Sequence, residues 1–192
     1  MADTRNGSKM KKMIIVRYKL NPHIKKDISD LLIEAFPESE RPPVDIFFGN
    51  VNRNKENELY GYYERDKFIG FSYLTLYKDI CYLFFLAVKK EERNKGFGTK
   101  ILDLIKKEHK DKVILLCNEE VDDKYLDNDL RIKRRDFYIK NGFVYNGYKT
   151  NEFGVIFETR YFGNHPVPFE DYSEIYVLGF SEYARKYLKK VI

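Results

Sequence analysis

The chain has 192 residues, 43% of them hydrophobic and 16% aromatic, with 35 Lys and Arg against 30 Asp and Glu. This apolar content, with no long polar tract, excludes a disordered chain, and a net charge of +5 with interspersed signs disfavours a dedicated nucleic-acid binder. No segment approaches the roughly 20 apolar residues of a membrane span and no signal peptide opens the sequence, so a cytoplasmic setting without membrane or nucleic-acid partners is expected.

Residues 1–12 read as a disordered leader or cloning remnant, 13–162 as one domain, and 163–192 as a C-terminal extension. A short strand over 13–18 precedes a helix opened by Asn21-Pro22, which carries Ile28, Leu31, Leu32 and Ala35 at helical spacing and ends at Pro37. A proline-broken loop over 36–43 leads to a short helix or turn at 44–48, and 50–57 is polar and expected to be mobile. Strands at 58–64 and 68–77 form a hairpin at Arg65-Asp66. The run 80–88 is apolar on both faces, as befits the centre of a sheet covered on both sides.

A helix over 98–110 and a second buried strand over 113–117 complete a strand-helix-strand unit, which implies a parallel pair with a right-handed crossover. If these strands splay after Val88 they enclose a cleft. An acidic loop over 119–129 precedes a helix over 130–141 and strands near 143–148 and 155–162. The extension reads as mostly helical, with Tyr172, Tyr176, Phe180, Tyr183 and Tyr187 giving an aromatic face for docking on the domain or for a homodimer. Cys81 and Cys117 lie in apolar runs, where a reduced thiol acts as a small hydrophobe.

Two motifs carry chemistry. The first is the elbow after Val88, Arg93-Asn94-Lys95-Gly96-Phe97-Gly98-Thr99, where a glycine-rich turn enters a helix whose first backbone N–H groups lack intrahelical partners and suit an anion. Thr99-Lys100 reverses the ending of a P-loop, and the elbow is one glycine short of a dinucleotide fingerprint, so neither a nucleoside triphosphate nor NAD is favoured. A Gly-x-Gly turn can also be geometry alone. The second is Asp136-Phe-Tyr-Ile-Lys-Asn-Gly-Phe143, in which Gly142 suits a helix C-cap and Phe137 and Phe143 suit packing, but neither explains Tyr138.

Together the motifs resemble the GCN5-related N-acetyltransferases (GNAT). The elbow is similar to that family's acyl-coenzyme A signature, and the second segment to the Phe-Tyr-x-Lys-x-Gly-Phe ending of its motif B, with Tyr138 following Gly98 by 40 residues. The likeness spans 13–162. It implies an α/β fold with a mixed, mostly antiparallel sheet, a splayed central parallel strand pair and flanking helices, plus the helical extension.

It also implies acetyl-CoA as cosubstrate and no metal, with pantetheine along Leu86, Ala87 and Val88 and the pyrophosphate held by Arg93, Asn94, Lys95, Gly96, Phe97, Gly98 and Thr99. Tyr138 would protonate the departing thiolate. The acceptor would be a small-molecule primary amine, or a lysine or N-terminal amine, attacking directly in a ternary complex.

Residues 80–88 hold no Glu or Asp, so Glu119 and Glu120 are the first side-chain candidates for the base, with Glu38 and Glu40 next and a water chain as an equal alternative. Arg131 and Arg135 share a helical face with Tyr138 and could support the thiolate or a cofactor phosphate, or form a solvated basic face. Arg131 and Arg134 replace the Asn and Ala found in many relatives, which puts the usual amide contact to pantetheine in doubt. The run 119–129 holds six acidic residues against one lysine and would draw polyamine, aminoglycoside or lysine-like acceptors, or is plain solvated loop. The alternatives are a non-catalytic acyl-CoA-binding module and, less favoured, a nucleic-acid module built on the basic helix.

Overall fold

The computed structural model describes residues 13–191; the expected leader lies outside them. Tight turns set the antiparallel half of the sheet. Arg65 and Asp66 both take positive φ between β2 (Asn57–Glu64) and β3 (Lys67–Tyr77), as a turn matched to strand twist requires. A second turn, with Lys78 at φ 51°, returns the chain into β4 (Ile80–Val88). The short β1 (Ile14–Arg17) pairs with the outer side of β2.

α3 (Phe97–Glu108) crosses to β5 (Val113–Glu119), which lies parallel to β4; all other neighbours are antiparallel. After α4 (Asn128–Lys140), the hairpin β6 (Val144–Glu152) and β7 (Val155–Phe162) places β7 against β5. The described sheet has eight strands in the order β1-β2-β3-β4-β5-β7-β6-β8. No helix among the described residues is long and apolar enough to cross a membrane.

The extension is helical in α5 (Phe169–Gly179) and α6 (Glu182–Arg185), but it ends in a strand, β8 (Leu188–Val191), hydrogen-bonded to β6. It therefore completes the sheet as well as covering it. Of its expected aromatic face, Tyr172 and Tyr176 are buried against Tyr82, Phe84 and Tyr148, which consumes that face within the fold. The side chain of Tyr183 lies outside the described residues.

Helices cover both sheet faces. On one, α3 and α4 pack Ile101, Leu102, Ile105 and Tyr138 over Cys81, Leu83, Ile114 and Leu116. On the other, α1 (Lys25–Ala35) and α2 (Val44–Arg53) bury Ile28, Leu31, Phe47 and Val51 over β2–β4, and α5 lies beside them. Phe36, extended before Pro37, ends α1 because the residue before a proline avoids helical backbone.

The stretch 50–57 is not the mobile loop its polarity suggests. Asn50 and Val51 are buried in α2, and the Asn57 amide donates to the carbonyl of Asn50 (2.7 Å) while accepting from Thr75 Oγ1 (2.8 Å). Satisfied amides can be buried without penalty, which hydrophobic patterning does not register.

One irregularity positions the site. Tyr73 pairs with Phe85 but Leu74 with Leu83, so Phe84 is an extra residue that bulges from β4. Below it Cys81 and Leu83 face α3; above it Leu86 and Val88 do, while Phe85 and Ala87 turn to α1 and α2. A bulge bends its strand and ends local pairing. The β4–β5 ladder accordingly stops at Leu83 and Leu116, so the parting begins well before Val88.

Candidate active site

Beyond Leu83 the two parallel strands separate into a wedge. The Lys89 N–H bonds the Ile69 carbonyl on β3, and strand alternation then turns the backbone groups of Ala87 toward β3 and those of Leu86 and Val88 toward the wedge. The Val88 carbonyl is taken by Arg93 Nε at 3.0 Å. Arg93 thus braces the strand end against the elbow, and its guanidinium also approaches Glu34 at 4.0 Å.

In the elbow, Asn94 and Gly96 take φ of 61° and 82°, and Gly96 serves as N-cap of α3 without any side-chain cap. Uncapped, the N–H groups of Phe97, Gly98 and Thr99 are available to an anion. Gly98 has a different reason to be glycine: a Cβ there would meet the Phe137 ring at 3.0 Å, so the residue lets α3 and α4 approach. Lys95 pairs with Glu92 at 3.1 Å, and Glu92 also holds Lys67, which ties the elbow to β3.

A cavity of about 400 Å³ runs through the wedge from one sheet face to the other. On the α4 side it is lined by Tyr138 and Arg134, on the strands by Leu86 and Glu119, and over the loop after α1 by Glu40. Tyr138 is 8% exposed and wedged between Phe137 and Phe143, with ring centroids at 5.2 and 5.8 Å. Burial pushes its phenol up to about 12, against the opposing charge of Arg134, so it holds its proton at neutral pH. Arg134, one helical turn before Tyr138, pairs with the buried Glu119. Burial and the charge of Glu119 raise the carboxyl of Glu40 above its ordinary range.

The family described as "Acetyltransferase (GNAT) domain" matches residues 55–145, a span that contains β4, the elbow and Tyr138. The chain carries a GNAT acetyltransferase domain. The domain is that of an acetyl-transferring enzyme.

No curated protein matches this acetyltransferase by sequence. Among solved structures it is similar to a GNAT-family protein from Bacteroides thetaiotaomicron, at 22% identity over 85% of this chain and 93% of that one, with a TM-score of 0.66. An aminoglycoside 6'-N-acetyltransferase complexed with coenzyme A gives 22%, 81%, 98% and 0.61. The ribosomal-protein-S18-alanine N-acetyltransferase of Escherichia coli gives 13%, 82%, 97% and 0.60. At these identities the likeness is one of fold.

Several residues singled out in the sequence sit elsewhere than expected. Arg131 bonds Asp127 at 2.8 Å and the Glu120 carbonyl at 3.2 Å, and lies over the Tyr125 ring, so it braces the loop before α4. Arg135 pairs with its neighbour Asp136. The Glu120 carboxylate is held by Lys149 and Lys124, which lower its pKa, and it does not line the cavity. Arg134, noted in the sequence only as a departure from relatives, is the arginine of this helix that lines the cavity. Cys117 lines it too, but burial pushes its thiol far up, so it is no ready nucleophile. Glu152 carried no signal in the sequence, being one polar residue in a hairpin strand.

Proposed function

We propose that the enzyme moves an acetyl group from acetyl-CoA to a primary amine by direct attack in a ternary complex, with Tyr138 as general acid. The observation that carries this reading is the convergence, in one cavity, of the outward-turned backbone of Leu86 and the phenol of Tyr138 beside Arg134. The wedge suits a pantetheine chain, and the uncapped start of α3 with its left-handed Gly96 suits a pyrophosphate. Leu86 and Val88 would pair with pantetheine amides, and a backbone N–H near Val88 would polarise the thioester carbonyl.

The neutral amine adds to that carbonyl, the new C–N bond replaces C–S, and the leaving thiolate takes the Tyr138 proton. The proton shed by the amine leaves through the carboxyls of the cavity. Arg134 stands where it stabilises negative charge near Tyr138. Among the carboxyls, Glu40 is the base we assign: it lines the cavity with its carboxyl raised above the ordinary range, whereas Glu119 is engaged by Arg134 and Glu120 by two lysines. Glu119 supplies the neighbouring charge that raises it.

Thermal unfolding tests the cosubstrate. Acetyl-CoA at a hundredfold excess over its Kd stabilises the native state by about 2.7 kcal/mol, and ATP and NAD leave the midpoint unchanged. An equal shift with ATP, or none with acetyl-CoA, removes the reading. The base is tested by the pH profile. A base works only when ionised, so kcat/KM climbs as pH rises through the raised pKa of Glu40, and Glu40→Gln abolishes that limb and lowers the plateau by about 10²-fold. A profile unaltered by the substitution assigns the proton to another route.

A further inference from the structure

Most carboxylates around the sheet have a basic partner. Glu58 has Arg17, Glu92 has Lys67 and Lys95, Glu119 has Arg134, Glu120 has Lys149 and Lys124, and Glu158 has Arg160. Within the acidic run 119–129, Asp122 pairs with Lys124 and Asp127 with Arg131.

Glu152 is different. It closes β6 and lines the cavity on the α5 side of the wedge. Thr150 Oγ1 donates to its Oε1 at 2.8 Å and the Tyr172 hydroxyl donates to the same oxygen. Tyr176 and Cys117 are the other groups acting on it most strongly, so its main partners are neutral hydroxyls and a thiol. These donors hold a carboxylate in place without cancelling its charge. Around it the cavity wall is aromatic, with Tyr82, Phe84, Phe157, Tyr176 and Phe180. An anionic group among aromatic rings is the surrounding that an alkylammonium ion prefers.

The attacking nitrogen has to be neutral, so an ammonium bound here is a different nitrogen of the same acceptor. Resting on the acetyl-transfer reading above, we propose that Glu152 docks a second, non-reacting ammonium group of the acceptor, which makes that acceptor an aliphatic diamine or polyamine. The two nitrogens then occupy the two ends of one cavity, one near Leu86 and Tyr138, the other at Glu152.

A pH signature accompanies this arrangement. Burial pushes Glu152 above the ordinary carboxylate range, and it pushes Cys117 and the phenols of Tyr82, Tyr172 and Tyr176 up as well, so those four stay neutral. Glu152 is the group of this set that changes charge. Its ionised form binds the ammonium, so affinity for a diamine strengthens as pH rises through its pKa.

The test compares 1,4-diaminobutane with n-pentylamine, which has the same length with a methyl group in place of one amine. In the native enzyme the diamine is preferred by at least about tenfold in kcat/KM, through KM. In Glu152→Gln the diamine loses its advantage and the preference collapses toward unity. Equal handling of the two amines by the native enzyme overturns the proposal, as does a preference that survives the substitution.

A binding readout separates this proposal from the acetyl-transfer reading. 1,4-diaminobutane raises the unfolding midpoint of the native protein but not of Glu152→Gln, whether or not acetyl-CoA binds. Equal shifts in both proteins overturn the proposal and leave acetyl transfer standing. Tyr172→Phe keeps the carboxylate and the ring while removing one donor. It raises the Glu152 pKa further, so diamine binding weakens near neutrality and recovers at higher pH; unchanged binding in this variant also counts against the proposal.

Discussion

Tyr138→Phe lowers kcat by about 10²- to 10³-fold while leaving the affinity for acetyl-CoA within a factor of about two. The ring is unchanged, so its edge-on packing against Phe143 survives and the unfolding midpoint barely moves. What disappears is the proton. With the phenol pushed up to about 12 and a thiol near 8.5, full transfer to the thiolate is uphill by roughly 5 kcal/mol before neighbouring charges act. Donation during C–S cleavage, rather than transfer in advance, is the form of catalysis such a phenol suits. Measuring thiol release for kcat and thermal shift for binding separates the two effects. Unchanged turnover would deny Tyr138 the role of acid.

Gly70→Ala destabilises the protein by at least about 3 kcal/mol, a fall in midpoint of about 6–12 °C for a chain of this size. A Cβ at Gly70 would stand 2.2 Å from the Ala87 carbonyl oxygen and 3.2 Å from the Val88 Cα. Both are backbone atoms of β4, so no rotamer change relieves the clash and the strands must move apart. The displaced segment is the one that turns Leu86 and Val88 toward the wedge, so the stabilisation by acetyl-CoA shrinks as well. Gly49→Ala is the control: nothing lies within 4 Å of its Cβ, it sits inside α2, and the substitution stabilises by about 0.5–1 kcal/mol. A Gly70→Ala protein that melts like native would show that β3 and β4 yield more easily than close-packed strands should.

The doubly apolar run of β4, the glycine elbow and the Phe-Tyr-x-Lys-x-Gly-Phe segment were legible because each has a local cause: burial on both faces, a left-handed N-cap, a helix end. The bulge at Phe84 was not. An extra residue in a uniformly apolar run leaves no mark in the pattern, so the point where the strands part could not be placed. The arginines of α4 show the same limit. Spacing put Arg131 and Arg135 on the face of Tyr138 and gave Arg134 no such place, and only their partners, Asp127 at the N-cap for Arg131 and Glu119 on β5 for Arg134, sort them. Asn57 was misjudged because its hydrogen bonds come from α2 and β3, and Glu152 went unmarked because its donors come largely from the far end of the chain.

β8 ends the described sheet with four residues, Leu-Lys-Lys-Val, two of them adjacent lysines. An open edge strand is a template on which another strand can add, and one copy of the protein laid antiparallel on another along β8, Leu188 opposite Val191, would set Lys189 of each against Lys190 of the other. Like charges at that spacing repel, and a strand so short offers few hydrogen bonds in return. Growth of the sheet from molecule to molecule is thereby discouraged at the very edge that the extension creates, so the strand that completes the fold also guards it against polymerisation.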